Sequence, residues 1–339
     1  MNLTAAFVHG GPDALGVPLH DFSTNANAVG PCPPALQALN GADPARYPDP
    51  GGTKVRQALA VFHGVDPSRV LLLASASEGI QRLSAWAART PDASVWLPPT
   101  HYGDCARAAA ALGLRRTADA AVARLVWACE PSTPFGRSEA GLLERVQGLG
   151  RDQCLVLDRA YEPLRLGGAP TVTGSMLDAV WQLMSPNKAL GLTGVRGAYA
   201  IAPAHAADAV RVLEAMGPSW PLGAHAEAML LSWTSATVQH WLQTSLTRLR
   251  EWRDRQQRVC ESLGWVVQPG DANFMTAAPR VPVPQARLAT LRQDHGVKLR
   301  DCASFGLPGI LRLGVLSPAA QDALAQGWRA TSGGEEGGG

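Results

Sequence analysis

Ser185-Pro-Asn-Lys188-Ala-Leu-Gly191-Leu-Thr-Gly194-Val-Arg196-Gly197 follows directly on the apolar run Ala179 to Met184, and its reading decides the fold. An apolar run of that length, halted by Ser and Pro, reads as a strand ending in a loop. A lysine held in such a loop can do what a solvated lysine cannot. Partial burial disfavours the ammonium form, so the free amine becomes available to condense with an aldehyde as a Schiff base. Ser185 offers a hydroxyl donor and Arg196 a fixed guanidinium, and together they suit one phosphate group, while the intervening glycines permit close backbone approach. Taken alone, the stretch also reads as a Gly-rich loop with two solvated charges, so the rest of the chain has to decide.

Outward from this loop, between residues 53 and 202, short apolar runs alternate with helical patterns. Val70 to Leu73, Ser94 to Leu97, Leu125 to Ala128, Cys154 to Leu157, Ala179 to Met184 and Ala198 to Ala202 read as strands. The alternation predicts an α/β fold, a mostly parallel sheet flanked by helices. Ligands of such sheets sit at the carboxyl ends of the strands, which directs attention to the residues that follow each run. From Thr237 to Leu263 apolar residues return at helical spacing, predicting a long connecting helix. Beyond it, Trp265 to Gln268, Asn273 to Thr276, Val297 to Leu299 and Ile310 to Leu313 alternate with helical stretches. The expected organisation is a large domain over 36–240, a smaller αβ domain from 1–35 and 241–330, and a disordered tail over 331–339.

Three more segments sit where such chemistry belongs. Asp158 closes the apolar run Cys-Leu-Val-Leu-Asp and is followed by Arg-Ala-Tyr161; a strand-terminal Asp also caps turns. Ala74-Ser-Ala76-Ser77-Glu-Gly79 follows a strand and opens a helix, where free N–H groups and the positive helix end suit a phosphate. The same residues make a capping box. Tyr102, with His101 beside it, lies just after another strand.

Composition bounds the function. The chain has 339 residues, 46% hydrophobic and 17% charged, with a formal net charge of +2. That charge creates no field favouring nucleic acid or an anionic membrane, so a small-molecule site is expected. The six cysteines lie far apart with no CxxC pair, so no metal site is expected. No leader pattern and no apolar run long enough to span a bilayer is visible, which points to the cytoplasm, with reduced thiols.

S-x-x-K followed by G-L-x-G-x-R-x-G resembles the lysine motif of fold type I pyridoxal-phosphate enzymes in the class I and II aminotransferase group. The resemblance implies a PLP-dependent transferase fold, pyridoxal 5'-phosphate as cofactor, and Lys188 as the residue that holds it. Asp158-Arg-Ala-Tyr161 resembles the D-E-A-Y element of histidinol-phosphate aminotransferases, which implies that Asp158 pairs with the pyridine nitrogen and Tyr161 donates to the phenolic oxygen. A carboxylate there keeps the ring cationic, a better sink for electrons released at the substrate Cα. By the same resemblance, Ala76, Ser77, Ser185 and Arg196 hold the cofactor phosphate and Tyr102 stacks on the ring. Arg46-Tyr47-Pro48-Asp-Pro resembles a segment whose tyrosine reaches the phosphate of a neighbouring subunit, which implies a homodimer with shared sites. The family's N-P-N-N-P-T-G loop is here Glu130-Pro-Ser-Thr133-Pro-Phe-Gly136. Thr133 keeps one hydroxyl donor where relatives carry an amide.

The ends of the chain narrow the resemblance. His9-Gly10-Gly11, Asp21-Phe-Ser23-Thr-Asn25-Ala-Asn27 and Leu299-Arg300-Asp301-Cys302-Ala-Ser304-Phe305-Gly-Leu-Pro, then Arg312, resemble threonine-phosphate decarboxylases of cobalamin biosynthesis. That implies a phosphorylated amino-acid substrate, with Arg312 on the carboxylate and His9, Gly10, Asn25 and Arg300 on the phosphate at the opposite end. It implies a lyase that converts threonine phosphate to aminopropanol phosphate and is inert towards histidinol phosphate with 2-oxoglutarate. The alternatives are an aminotransferase of the histidinol-phosphate type and a catalytically degenerate binding or scaffold protein. Cofactor motifs do not separate the first two. Which Cα bond breaks depends on which lies perpendicular to the ring, and sequence does not carry that torsion.

Overall fold

Runs of apolar residues bounded by turn signals become the strands of the central sheet. In the computed structural model of the chain, described for residues 9–331, β1 is His20–Asp21, β2 Val70–Leu73, β3 Ser94–Trp96, β4 Arg115–Arg116, β5 Leu125–Cys129, β6 Cys154–Asp158, β7 Trp181–Met184 and β8 Ala198–Ile201. The remaining strands are β9 Val266–Pro269, β10 Phe274–Ala278, β11 Val297–Lys298, β12 Arg300–Asp301 and β13 Leu311–Gly314. Residues 332–339 of the expected tail and residues 1–8 lie outside the described residues. The run expected from Ala179 begins only at Trp181, because Gly174–Ala179 winds into a 3-10 turn.

The large sheet has the order β2-β8-β7-β6-β5-β3-β4. Its pairs are parallel except those made by β8, which runs antiparallel to β2 and β7. Both faces are covered, and alternation shows it: Val70 and Leu72 join one apolar core while Leu71 and Leu73 join another. That double burial explains why the strands read as unbroken apolar runs. A second sheet, β12-β13-β10-β9, is antiparallel throughout. The N-terminal arm contributes β1 to a separate two-stranded sheet, where it pairs in parallel with β11.

The two parts are joined by continuous helix. Ala236–Ser262 is capped by Ser235, whose hydroxyl accepts the Val238 N–H. Its 27 residues span about 40 Å. Val238, Leu242, Leu246, Leu249 and Cys260 make the buried stripe that holds it down. The expected boundaries at 35/36 and 240/241 fall inside helices Pro33–Asn40 and Ala236–Ser262. Pro33–Asn40 packs on Ala224–Trp233 and on the long helix, so it sides with the large sheet.

Candidate active site

Three adjacent strands end together. Cys129, Asp158 and Leu183 stand side by side at the ends of β5, β6 and β7, and the loops beyond them carry Thr133, Tyr161 and Lys188. Lys188 lies in the short helix Pro186–Ala189, which starts immediately after β7 with a proline whose fixed φ suits a first helical residue. The lysine is half-buried, with Nζ 5.4 Å from the centre of the Tyr161 ring. Asp158 is also half-buried, and its Oδ1 accepts the Ala160 N–H at 2.9 Å. Burial raises its carboxyl pKa, and the Lys188 charge and the Ala160 bond draw it back only in part.

The lysine loop is fastened by two amides that motif reading passed over. Asn187 accepts from the Ser185 hydroxyl at 2.8 Å and donates to Val195 O at 3.2 Å. Asn27 donates its side-chain amide to Ala189 O and to Ser245 Oγ, and its backbone N–H to Lys188 O. Both asparagines are buried, and both sit inside quoted motifs, where the rule that buried polar groups find partners was the available signal.

This fastening corrects two expectations. The Ser185 hydroxyl proton is already committed to Asn187, so Ser185 meets a phosphate only as an acceptor or after changing partner. Two of the loop glycines approach protein rather than a ligand: a Cβ on Gly191 would meet Asn27 O at 3.1 Å, and one on Gly197 would meet Ala226 at 2.9 Å, while one on Gly194 would meet nothing within 4 Å. Arg196 itself is exposed and pairs with no carboxylate among the described residues.

At the end of β2 the helix Ala76–Ala87 satisfies both readings of its first turn. Ser75 Oγ accepts the Glu78 N–H at 3.0 Å, and Glu78 Oε2 accepts the Ala74 N–H at 3.2 Å, a capping box. The N–H groups of Ala76 and Ser77, in the first turn, have no helical acceptor and remain for an anion. The Tyr102 hydroxyl stands beside Ser77, and burial pushes its pKa up to about 12. His101 instead turns Nδ1 to Pro98 O at 2.8 Å. His9 lies against Tyr102, ring centroids 5.9 Å apart. A Cβ on Gly10 would meet Ser23 O at 2.1 Å, so glycine is what lets the arm pass there.

The small sheet closes the other side. Arg312 is buried; Nη1 donates to Thr133 Oγ1 at 2.9 Å and Nη2 to Ser23 O at 2.8 Å. Its guanidinium lies 5.7 Å from the centre of the Phe274 ring, whose edge meets Tyr161 at 4.9 Å. Phe274 was not foreseen; only its place on an apolar strand marked it. Arg300 donates to Ser304 Oγ at 2.7 Å and is paired directly across β12–β13 with Arg312. Residues so paired point to one face. The two side chains expected at opposite ends of a substrate are therefore neighbours on one face of the small sheet. Tyr47 lies apart, 80% exposed and stacked on Trp220 at 4.5 Å, with no contact to the Lys188 cluster among the described residues.

These donors fit one kind of group. An amine, a half-buried carboxylate, a phenol and two free helix N–H groups match an aldehyde, a basic ring nitrogen, a ring oxygen and a phosphate. Unpartnered buried atoms lie alongside, both amide atoms of Asn25, Arg312 Nε and Thr276 Oγ1, with hydrogen-bonding capacity left for a polar ligand. The family model for aminotransferase class I and II matches residues 142–327, more than half of the chain. The chain belongs to the class I and II aminotransferase family. Its cofactor is pyridoxal 5'-phosphate, and its fold is the family's type I fold.

Relatives refine the comparison. A histidinol-phosphate aminotransferase of Rhodospirillum centenum is 29% identical over 95% of this chain and 94% of its own length. One from Haloferax volcanii is 27% identical over 87% and 84%. Among solved structures, the histidinol-phosphate aminotransferase of Sinorhizobium meliloti in complex with pyridoxal-5'-phosphate superposes with TM-score 0.80 at 21% identity, covering 97% of both chains. The L-threonine-O-3-phosphate decarboxylase of Porphyromonas gingivalis superposes with TM-score 0.71 at 18% identity, covering 88% and 94%. These relatives overturn the expected decarboxylase: sequence relatives spanning nearly the whole chain are histidinol-phosphate aminotransferases. The end motifs misled because they specify how an anionic substrate is gripped, a need both reactions share. No helix among the described residues is long and apolar enough to cross a membrane.

Proposed function

We propose that this aminotransferase-family enzyme moves an amino group between a phosphorylated amine of the histidinol-phosphate type and a 2-oxo acid, and that it works as a homodimer. The reading is supported first by relatives named histidinol-phosphate aminotransferases that align over nearly the whole chain, and the paired guanidiniums of Arg300 and Arg312, on the face that meets Thr133 and, through Phe274, Tyr161, suit the anionic group of such a substrate. An anionic tail gripped there leaves the substrate amine free to reach Lys188.

Each residue then has a task. Lys188 would hold the cofactor aldehyde through its amine, and the same amine is placed to move a proton at the substrate Cα. Asp158 accepts from the ring nitrogen and keeps it protonated, and Tyr161 and Thr133 donate to the ring oxygen. Ala76 and Ser77 N–H groups, Ser185 and Arg196 hold the cofactor phosphate, joined by Tyr47 of the second subunit; Tyr102 covers the ring face. His9, Gly10 and Asn25 close over the substrate end held by Arg300 and Arg312. When bound, pyridoxal phosphate supplies an electron-poor ring that takes up the electron pair released at Cα. Arg312, seated on the sheet rather than on a loop, fixes the orientation that makes the Cα hydrogen the bond to break.

The assay is direct. Histidinol phosphate with 2-oxoglutarate should yield glutamate, and histidinol phosphate alone should convert the cofactor from its aldehyde to its amine form. Release of CO₂ from threonine phosphate, with the aldehyde form retained, would overturn the proposal.

A further inference from the structure

Glu130 stands where the family loop carries asparagine, and it is 2% exposed. A carboxylate that deep costs several kcal/mol unless it is partnered. It is thoroughly partnered: the Ser138 hydroxyl, the Thr171 N–H at 2.8 Å and the Val172 N–H at 3.4 Å all donate to it. Arg165 Nη2 lies 3.7 Å away. The Arg165 side chain is only 9% exposed and forks further. Its Nε and Nη2 grip Glu162 Oε2 at 3.0 and 2.8 Å, and Nη1 is 3.9 Å from Asp271 Oδ2, with no closer hydrogen-bond partner. Asp271 is tied down by its backbone too, donating to Gly136 O and accepting from Leu166 and Gly167 N–H.

Each acid sits within three residues of a side chain lining the cleft: Glu130 before Thr133, Glu162 after Tyr161, Asp271 before Phe274. We propose that Arg165 is a positioning residue for the reaction, holding the Thr133 loop, the Tyr161 turn and the Phe274 strand in one arrangement through Glu130, Glu162 and Asp271. A planar fork reaches three acids from three segments, which a lysine ammonium cannot do. The Thr133 loop and the Tyr161 turn follow β5 and β6 of the large sheet while Phe274 lies on β10 of the small one, so the junction ties the two sheets together beside the cleft. On this account Glu130 is no mark of a decayed site; it is the acid the junction requires.

The role rests on the amino-transfer reading for its substrate, and its test does not. In the holoenzyme, the visible absorbance of the Lys188-bound cofactor titrates with a midpoint that senses donors to the ring. Glu130→Gln and Arg165→Lys should each move that midpoint by about half a pH unit or more, because the donors shift. They should lower kcat with histidinol phosphate about tenfold, with a smaller rise in KM, as a sub-ångström misplacement would. Arg165→Lys should recover thermal stability relative to Arg165→Ala without recovering the midpoint. Arg255→Gln, which removes a remote pair with Asp322 on the C-terminal helix, should leave the midpoint alone. If Arg165 variants fail to fold, Asp271→Asn, partly exposed, probes the same junction by the same titration. A fall in melting temperature with unchanged midpoint and kcat in both Glu130→Gln and Arg165→Lys would reduce the cluster to a structural tie and overturn the inference. Absence of any transamination by the unaltered enzyme would instead sink the substrate reading, leaving the titration still decisive for the junction.

Discussion

Asp158 is a carboxylate kept half-buried beside one amine, with its Oδ1 spent on a backbone N–H. Asn at this position keeps the shape and can still accept from Ala160, so replacement isolates the charge. Asp158→Asn should bind cofactor yet lose kcat by on the order of a hundredfold or more, the scale of removing a preorganised charge from a reacting centre; steady-state rates with saturating cofactor check it. Asp158 was singled out because it ends a recognisable strand, and Lys188, Tyr161 and Tyr102 because each lies in the loop that follows one. Ser185 was legible as a member of the loop, but its commitment to Asn187 was not, since a hydroxyl's partner depends on which way neighbouring side chains turn.

At the scale of elements, the helix Ala76–Ala87 depends on Glu78 at both ends of its side chain. One carboxylate oxygen accepts the Ala74 N–H and the other accepts Arg82 Nε at 2.6 Å. The Arg82 side chain is only 4% exposed. Glu78→Ala should therefore cost about 2 to 4 kcal/mol, because it leaves a buried guanidinium without its acid; urea unfolding measures the loss, and weaker cofactor binding should accompany it. At the end of helix Thr53–His63, His63 Nε2 meets the Tyr199 hydroxyl on β8 at 2.8 Å. Burial, with the Arg159 charge, lowers its pKa to about 4 from the ordinary 6.5. The unfolded chain therefore binds a proton that the folded one refuses. Stability should be level above pH 6.5 and fall as pH drops from 6.5 towards 4, by up to roughly 3 kcal/mol. Melting curves across that window, flattened in His63→Gln, provide the check. The expected strands and the long helix lie within a residue or two of the observed ones, since buried strands write themselves as apolar runs and a one-sided helix as a stripe; the two-residue polar strands β1, β4 and β12 carry no such run and were not foreseen.

For the whole molecule, the exposure of Tyr47 makes a specific demand if that tyrosine serves a second subunit. Lys188→Ala and Tyr47→Ala chains, each weak alone, should regain activity when unfolded and refolded together, because a hybrid dimer carries one site with neither lesion. Two inactive parents with an inactive mixture would argue that Tyr47 acts within its own surface, on Trp220. Sequence alone determined the α/β architecture, the cofactor class and the order of its loops, because strand burial, helix stripes and strand-end chemistry are local patterns of a few neighbouring residues. It did not determine how the substrate region is built. That Arg300 and Arg312 are neighbours, that Phe274 bridges Tyr161 to Arg312, and that Arg165 gathers the distant Glu130 and Asp271 beside its neighbour Glu162 were decided only by tertiary structure. These contacts join segments far apart in the chain, and their distances follow from how two sheets pack, which no local pattern encodes.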